Sequence, residues 1–189
     1  YEIGGCPKVV RELSEALKDK GHELIVITTC PYVNKNSLNY HIRYENNIKI
    51  YDFYPINLTI PMYSKDYSNL KKISSFFLNF WNPHSYYIIK KILKIEKPDI
   101  VHIHETPYLS LSPFTAAKSL KIPVVNSVHS VFLLYPLNNL PELDKKSGVK
   151  IPFVNVKTYS LISKGYSLLN SKIIGNPNTA IFPSNALKN

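Results

Sequence analysis

Two short apolar runs flank a helical segment between residues 98 and 130, where the sequence is PDIVHIHETPYLSLSPFTAAKSLKIPVVNSVHS. The apolar runs cover residues 99–103 and 123–128, and residues 108–120 favour a helix between them. A strand, a crossover helix and a second strand within about 30 residues have the length of a βαβ unit. Because near-continuous Ile and Val runs are typical of strands covered on both faces, the sequence predicts a parallel sheet.

Polar side chains follow both of the predicted strands. His104 and Glu105 come directly after the first apolar run, and His129 follows the second. Ligands of open parallel sheets bind outside the carboxyl ends of the strands. The sequence therefore predicts a binding site at the sheet edge where these three side chains converge.

The first 29 residues have the order loop, helix and strand. A Gly4-Gly5 turn precedes Pro7, and apolar residues then repeat with the period of a helix until Gly21, which is placed as a helix cap. Residues 23–29 predict a buried strand. Bare amides at a helix N-terminus suit a phosphate, although a tight turn that needs positive φ is the simpler explanation of two glycines. Because such a phosphate loop normally follows a strand, we expect truncation at the amino end.

The remainder of the chain predicts a hairpin and further helices. Residues 41–44 and 48–54 form short strands around a turn at 45–47, at a sheet edge. Helices are predicted at 69–81 and 84–97, separated at Asn82 and Pro83. A further helix at 156–170 and a strand at 179–182 follow. The helix at 84–97 is amphipathic, and opposite its apolar face it carries Lys90, Lys91, Lys94 and Lys97.

Composition indicates one folded domain over residues 1–189. A hydrophobic fraction of 44% excludes general disorder, and no apolar run approaches the roughly 18 residues of a membrane-spanning helix. Two cysteines are too few for a disulfide framework, which favours a reducing, cytoplasmic compartment. The net charge of +10 implies an anionic partner. Because Arg11 and Arg43 are the only arginines, diffuse attraction to phosphates or membranes is favoured over nucleic-acid recognition.

In their combination and order, segments of this chain resemble the N-terminal half of the retaining family 4 glycosyltransferases, which have the GT-B fold. EIGGCPKVVRELSEALKDKGHELIVITT is similar to the family's Gly-Gly loop, first helix and second strand, KPDIVHIHETP to its central strand, and KIPVVNSVHS to its strand ending in histidine. The terminal TAIFPSNALKN resembles the strand and serine before the link to a second domain. The resemblance implies an α/β, Rossmann-like, mostly parallel sheet with helices on both faces, with its first strand missing.

The resemblance also implies roles for individual residues. Gly4 and Gly5 would meet the donor diphosphate through their amides, and His129 would contact the transferred sugar near the reacting carbon. The acceptor side would be lined by Glu105, Thr106 and His104. The family binds most of the nucleotide-sugar with a C-terminal domain that carries paired glutamates. Because that domain is absent from the sequence, this chain alone is expected to be inactive.

The histidines are not expected to form a metal site. No two of them have ligand spacing on a helix, and only His102 and His104 lie close together in the sequence. His102 alternates with two apolar residues inside a strand, which predicts a hydrogen-bonded core histidine. As the resemblance implies, transfer is expected to need no bound metal and no cofactor beyond the nucleotide-sugar co-substrate.

The leading hypothesis is a cytoplasmic, hexosyltransferase-like enzyme that moves a sugar from a nucleotide-sugar to an acceptor with retention. A lipid-linked or polysaccharide-precursor acceptor would place it at the inner face of the cell membrane, in peripheral contact through residues 69–97. The lysines at 84–97 would face anionic head groups. In most proteins, however, an apolar helix face packs on the domain's own core and a lysine face is only solvated. The expected interfacial aromatic residues are Phe76, Phe77, Phe80 and Trp81.

Two other function classes are alternatives to transfer. The first is a noncatalytic, basic α/β module that binds anionic membrane surfaces, which the net charge of +10 would serve. The second is a nucleic-acid-binding domain, which would need arginines and exposed aromatic residues in one groove. The lysine-dominated charge does not favour the second class.

Overall fold

Two three-stranded sheets and the helices packed on them carry the fold. The computed structural model describes residues 5–56, 78, 80–104, 109–129, 165, 168–169, 171–172, 174–175 and 177–182. The helices of eight or more residues within these ranges are α1 (Gly5–Asp19), α2 (Pro83–Glu96) and α3 (Ser112–Ser119). A single-turn 3-10 helix spans Lys35–Leu38. The predicted α/β class is confirmed.

The first sheet contains the predicted hairpin at its edge. Its strands are β1 (Ile25–Thr29), β2 (His41–Glu45) and β3 (Ile48–Phe53), in the order β1-β3-β2. β1 pairs parallel with β3, and β2 pairs antiparallel with it. Asn46 and Asn47 both have left-handed backbones, with φ of 49° and 58°, as a two-residue type I′ turn requires. The turn is therefore one residue shorter than predicted.

The second sheet is wholly parallel and contains the predicted βαβ unit. Its strands are β4 (Val101–Ile103), β5 (Val124–Ser127) and β6 (Thr179–Ile181), with β5 in the centre. α3 lies between β4 and β5 in the chain, and β6 pairs with the other side of β5. The Asn178 side chain accepts a 2.9 Å hydrogen bond from the amide of Val124, which fixes the approach to β6. All three carboxyl ends thus lie at one edge.

The main hydrophobic core lies between α2, α3 and one face of the strands. Its largest fully buried side chains include Tyr51, Phe53, Phe114, Ile89 and Ile92. Ile103 of β4 and Val124 of β5 join the same cluster. Because side chains alternate along a strand, His102 and His104 point to the opposite face of the sheet from Ile103. The core therefore fixes which face carries the histidines.

α2 begins at the predicted break between two helices. Asn82 caps its N-terminus by accepting hydrogen bonds from the amides of His84 and Ser85, and Pro83 occupies the first turn. Lys97 closes the helix in a left-handed conformation, with φ of 48°. As the periodicity predicts, the apolar face packs on the core through Ile88, Ile89, Ile92 and Leu93.

The two described aromatic residues before α2 contact the domain itself. Phe80 packs against the hydrophobic core, and Trp81 donates from Nε1 to Thr115 Oγ1 at 3.0 Å. Both rings are half-buried, and their expected contact with a bilayer stays a prediction. Phe76 and Phe77 lie outside the described residues.

α1 reaches the hairpin of the first sheet through its polar side chains. Arg11 forms a 2.9 Å ion pair with Glu45, and Lys18 donates to the carbonyl oxygen of Asn46. Gly21 ends the helix region with φ of 86°, which confirms its predicted place as a cap. No residue of α1 is buried, so the described residues cover its apolar face only in part.

Several predicted segments fall wholly or largely outside the described residues. Of the helix predicted at 69–81, the structure describes positions 78 and 80, which are helical, and 81, which is not. The helix predicted at 156–170 is described at 165 and 168–169. The strand expected before Gly4 and the single domain over 1–189 stay predictions. The described strands form two separate sheets, and no described strand joins them by pairing with both β1 and β4.

Candidate functional site

His104 and His129 meet at the carboxyl edge of the second sheet. His104 directly follows β4, and His129 lies two residues beyond β5. His104 Nδ1 and His129 Nε2 are 2.9 Å apart, and the two rings stack with their centroids 5.2 Å apart. Between neutral imidazoles such a contact needs one ring to donate and the other to accept. The parallel strand order therefore brings together the two histidines that the sequence places at this edge.

Burial favours the neutral form of His104. Loss of solvent around the ring, together with repulsion from charges on His102 and His129, lowers its pKa to about 4. Burial also lowers the pKa of His102. Near neutral pH, His104 therefore presents a neutral ring with one donor and one acceptor nitrogen. Such a ring can bind hydroxyl groups or orient the ring of His129.

His102 has the structural surroundings that its position inside β4 predicts. Its Nε2 lies 2.8 Å from Ser127 Oγ on the neighbouring strand β5. Its ring centroid is 4.3 Å from that of His104. His102 thus links β4 to β5 and packs against the ring of His104.

The N-terminus of α1 approaches the same two histidines. The Cys6 sulfur and one ring nitrogen each of His104 and His129 lie within 4.8 Å of one another. Gly5 belongs to the helix and lacks the positive φ that would explain a glycine by a tight turn. A Cβ atom built on Gly5 would meet nothing within 4 Å, so the space beside its backbone is open. The positive end of the helix dipole therefore borders the histidine pair.

Three of the predicted site residues cannot be placed. Gly4, Glu105 and Thr106 lie outside the described residues. Their assignment to the donor diphosphate and the acceptor side stays a prediction. The described residues bring together His104, His129 and the amino end of the helix that begins at Gly5.

Cys6 lies beside the two histidines, and the sequence did not predict it there. Histidine spacing reports on ligands of one helix, whereas these ligand atoms come from α1 and from the ends of two strands. The available signal was the position of Cys6 directly after the Gly-Gly turn, in the first turn of a helix predicted to face the site. Periodicity alone does not show where that turn lies in space.

Two cavities among the described residues lie away from the histidines. One of about 240 Å³ is bounded by the end of α3 and the start of β5, with Lys118 and Lys121 in its wall. A second of about 330 Å³ is bounded by Leu93, Lys97 and Leu120. Both adjoin the amino ends of the strands, and parallel sheets bind ligands at the other edge. The convergence of polar groups, not cavity size, therefore marks the site.

The comparison with protein families decides the assignment. The family model of Glycosyltransferase Family 4 matches residues 3–188. The chain belongs to glycosyltransferase family 4. The N-terminal helix, the βαβ unit and both strand-end histidines fall inside the matched range, so the resemblance found in the sequence is confirmed. The family assignment gives the noncatalytic module no support.

This family 4 chain is similar to part of a longer protein. The chain is 24% identical over 164 residues to a Klebsiella pneumoniae protein named "Uncharacterized 42.6 kDa protein in cps region". The alignment covers 87% of this chain and 42% of that protein, so the chain spans less than half of its relative's length. No solved structure matches the chain. Among the described residues, none of the helices has the length and hydropathy needed to cross a membrane.

Proposed function

We propose that this family 4 protein transfers a sugar from a nucleotide-sugar donor to an acceptor with retention of anomeric configuration, in the cytoplasm. The observation that carries the proposal is the meeting of His104, His129 and the N-terminus of α1 at the carboxyl edge of a parallel sheet. An anion site and polar groups for a sugar then lie side by side.

The N-terminus of α1 would hold the donor diphosphate. Amides in the first turn have no partner within the helix, and the helix dipole favours negative charge at this end. Gly5 leaves room for close approach, and Gly4 would extend the amide surface. As the sugar departs from the diphosphate, negative charge grows on the leaving oxygen, and fixed dipoles stabilise it. We propose that this contribution serves transfer without a bound metal or further cofactor.

His129 would contact the transferred sugar near the reacting carbon. His104, neutral and hydrogen-bonded to His129, would fix which nitrogen of His129 carries the proton. His104 would also border the acceptor, with Glu105 and Thr106 beside it. In this arrangement His129 is the catalytic residue and His104 both orients it and shapes the acceptor side.

Donor binding would need residues beyond this chain. The chain aligns with 42% of its relative, and the family resemblance assigns most of the nucleotide-sugar contacts to a second domain. We therefore propose that these 189 residues alone turn over no donor. Turnover by the isolated 189 residues would contradict this part of the proposal.

The test is a transfer assay with the intact protein and a panel of nucleotide-sugars, with lipid-linked and soluble glycan acceptors. We expect one donor to be consumed and its sugar to appear on an acceptor in the donor's anomeric configuration, read by NMR. A product of inverted configuration would overturn retention. Failure to consume any donor across the panel would overturn the proposed transfer.

We also propose a lipid-linked acceptor, reached by peripheral contact with an anionic membrane. The outward face of α2 carries Tyr87 and Ile95, which are 66% and 53% exposed, beside Lys91 and Lys94. Lys97 at the helix end is also exposed. Basic residues near an anionic bilayer each contribute about 1 kcal/mol, and the exposed apolar side chains add interfacial contact. This surface, Tyr87, Lys91, Lys94, Ile95 and Lys97, is named the α2 outer face.

A further inference from the structure

A cysteine and two histidines from three separate elements converge beside the proposed sugar site. Cys6 comes from the first turn of α1, His104 from the end of β4 and His129 from beyond β5. Their sulfur and ring-nitrogen atoms all lie within 4.8 Å of one another, and each side chain is half-buried. Sugar transfer as proposed above gives roles to the two histidines and none to Cys6.

The distances suit a single small metal ion. Zinc bonds to sulfur are about 2.3 Å and to imidazole nitrogen about 2.0–2.1 Å long, so ligand atoms on one tetrahedral ion lie about 3.3–3.8 Å apart. His104 Nδ1 and His129 Nε2 are 2.9 Å apart. The three ligand atoms, all within 4.8 Å of one another, thus lie close to the spacing that one ion requires.

We propose that Cys6, His104 and His129 bind one Zn²⁺ ion, with the fourth position open to water or ligand. Thiolate and imidazole ligands select zinc and similar ions over Mg²⁺ and Ca²⁺, which prefer oxygen ligands. Three protein ligands with an open fourth position are a common zinc arrangement. On binding, the sulfur–zinc bond forms and the proton of the Cys6 thiol goes to solvent.

The bound ion excludes the donor. The ion binds His129, the residue proposed to contact the sugar, and it lies beside the N-terminus of α1, which is proposed to hold the diphosphate. Zinc binding and donor binding therefore compete. This consequence rests on the proposed function, whereas the metal site itself does not.

The test of the site is titration of the intact, metal-free protein with Co²⁺, which reports on zinc sites by its absorption. We expect one equivalent to give the intense visible bands of a tetrahedral ion and the ultraviolet band of a cobalt–thiolate bond. Zn²⁺ should remove both. Cys6→Ser should abolish the thiolate band and weaken binding by at least about tenfold, the lower end of the losses seen even for outer-shell changes.

Matched controls separate the site from general metal binding. Cys30→Ser changes the other cysteine, which lies after β1 and outside the cluster, and His22→Gln changes an exposed histidine. Both should bind Co²⁺ as the parent protein does. His104→Gln and His129→Gln should each weaken binding by at least about tenfold, and circular dichroism checks that they fold. A thiolate band that survives in Cys6→Ser but is lost in Cys30→Ser would overturn the site.

A transfer assay tests the competition separately. Zn²⁺ should raise the apparent KM for the donor in the parent protein, a chelator should restore it, and Cys6→Ser should resist inhibition. Cobalt binding without inhibition would overturn the competition and leave the metal site standing. A protein without transferase activity would still give the cobalt result, so failure of the proposed function remains distinguishable from failure of the site.

Discussion

At the scale of single residues, the contact between His104 and His129 divides the roles of the histidines. A neutral ring has one proton for two nitrogens, so the 2.9 Å contact leaves each ring one further nitrogen for a ligand. His102 instead forms a hydrogen bond through Nε2 with Ser127 of the adjacent strand. One histidine therefore serves the sheet, and two face the open edge. Substitutions can separate these roles.

His129→Ala in the intact protein is expected to lower kcat by about 10² or more, the cost of removing one positioned polar group from a transition state. The thermal midpoint should change little, because His129 lies beyond the strand end. Steady-state kinetics and thermal melts check the two parts. Full activity in His129→Ala would remove this residue from the site.

His102→Ala is expected to affect stability first. Loss of its hydrogen bond to Ser127 and of its ring packing should lower the free energy of unfolding by about 1–2 kcal/mol. Chemical denaturation of His102→Ala, Ser127→Ala and the double variant measures this contact. If the bond matters, the effects are not additive, because each single variant already removes it. Additive effects would contradict the assigned hydrogen bond.

At the scale of elements, the two ends of α2 join the helix to the rest of the domain. At its start, the Asn82 side chain caps the helix and donates from Nδ2 to the Ile56 carbonyl oxygen at 2.9 Å. At its end, Glu96 accepts from Lys49 and from the hydroxyl of Tyr51, both on β3. α2 is thus fixed to the first sheet at one end and to the preceding loop at the other.

Asn82→Ala is expected to lower the free energy of unfolding by about 2 kcal/mol, at the upper end for loss of an N-cap, because Asn82 is only 4% exposed. Asn82→Ser keeps a capping oxygen and loses the amide donor, so it should cost less. Urea denaturation of both variants checks the order. Equal losses would show that the cap contributes little.

Glu96→Gln tests the other end of α2 by its dependence on pH. The hydrogen bond from Lys49, and then that from Tyr51, lowers the pKa of Glu96 below its ordinary value of 4.5. The unfolded chain then binds the proton more readily, so the stabilisation is complete above about pH 4.5 and is lost as pH falls through the lowered native pKa. At neutral pH the variant should melt about 2–4 °C lower, the shift for about 1 kcal/mol in a chain of this length.

Thermal melts across this acid range measure the difference between parent and Glu96→Gln. The gap should close as pH falls below about 4.5. Glu12→Gln is the matched control, because Glu12 is a helical glutamate that is exposed and pairs with Lys8 at 3.7 Å. A gap that persists unchanged in acid would show that ionised Glu96 is not its source.

At the scale of the whole molecule, the sequence predicts the order and type of the elements better than it predicts which distant residues meet in space. The βαβ unit, the hairpin and the cap at Gly21 follow from local periodicity and turn chemistry, and all are observed. The pairing of His104 with His129 follows from parallel strand order. The place of Cys6 does not, because the packing of α1 across the sheets depends on contacts distant in sequence. The contacts of Phe80 with the core and of Trp81 with Thr115 likewise join residues distant in sequence.

The net charge of +10 acts over the whole surface, so membrane attraction must be separated from general basicity. If the α2 outer face docks on anionic lipid, replacing its three lysines at 91, 94 and 97 by glutamine should lower the partition coefficient onto anionic vesicles by about 10² at least, at about 1 kcal/mol per lysine. Cosedimentation of the intact protein with anionic and neutral vesicles across a salt series measures this change.

The matched control replaces Lys35, Lys118 and Lys121, three exposed lysines outside the α2 outer face. Both triple variants carry the same net charge, so any difference between them reports where the charge lies and not how much there is. Binding by the control should match that of the parent and weaken as salt screens the lysines. If both variants lose binding equally, attraction is diffuse and α2 has no special part in it; if neither the parent nor the variants bind anionic vesicles, the proposed membrane contact is wrong.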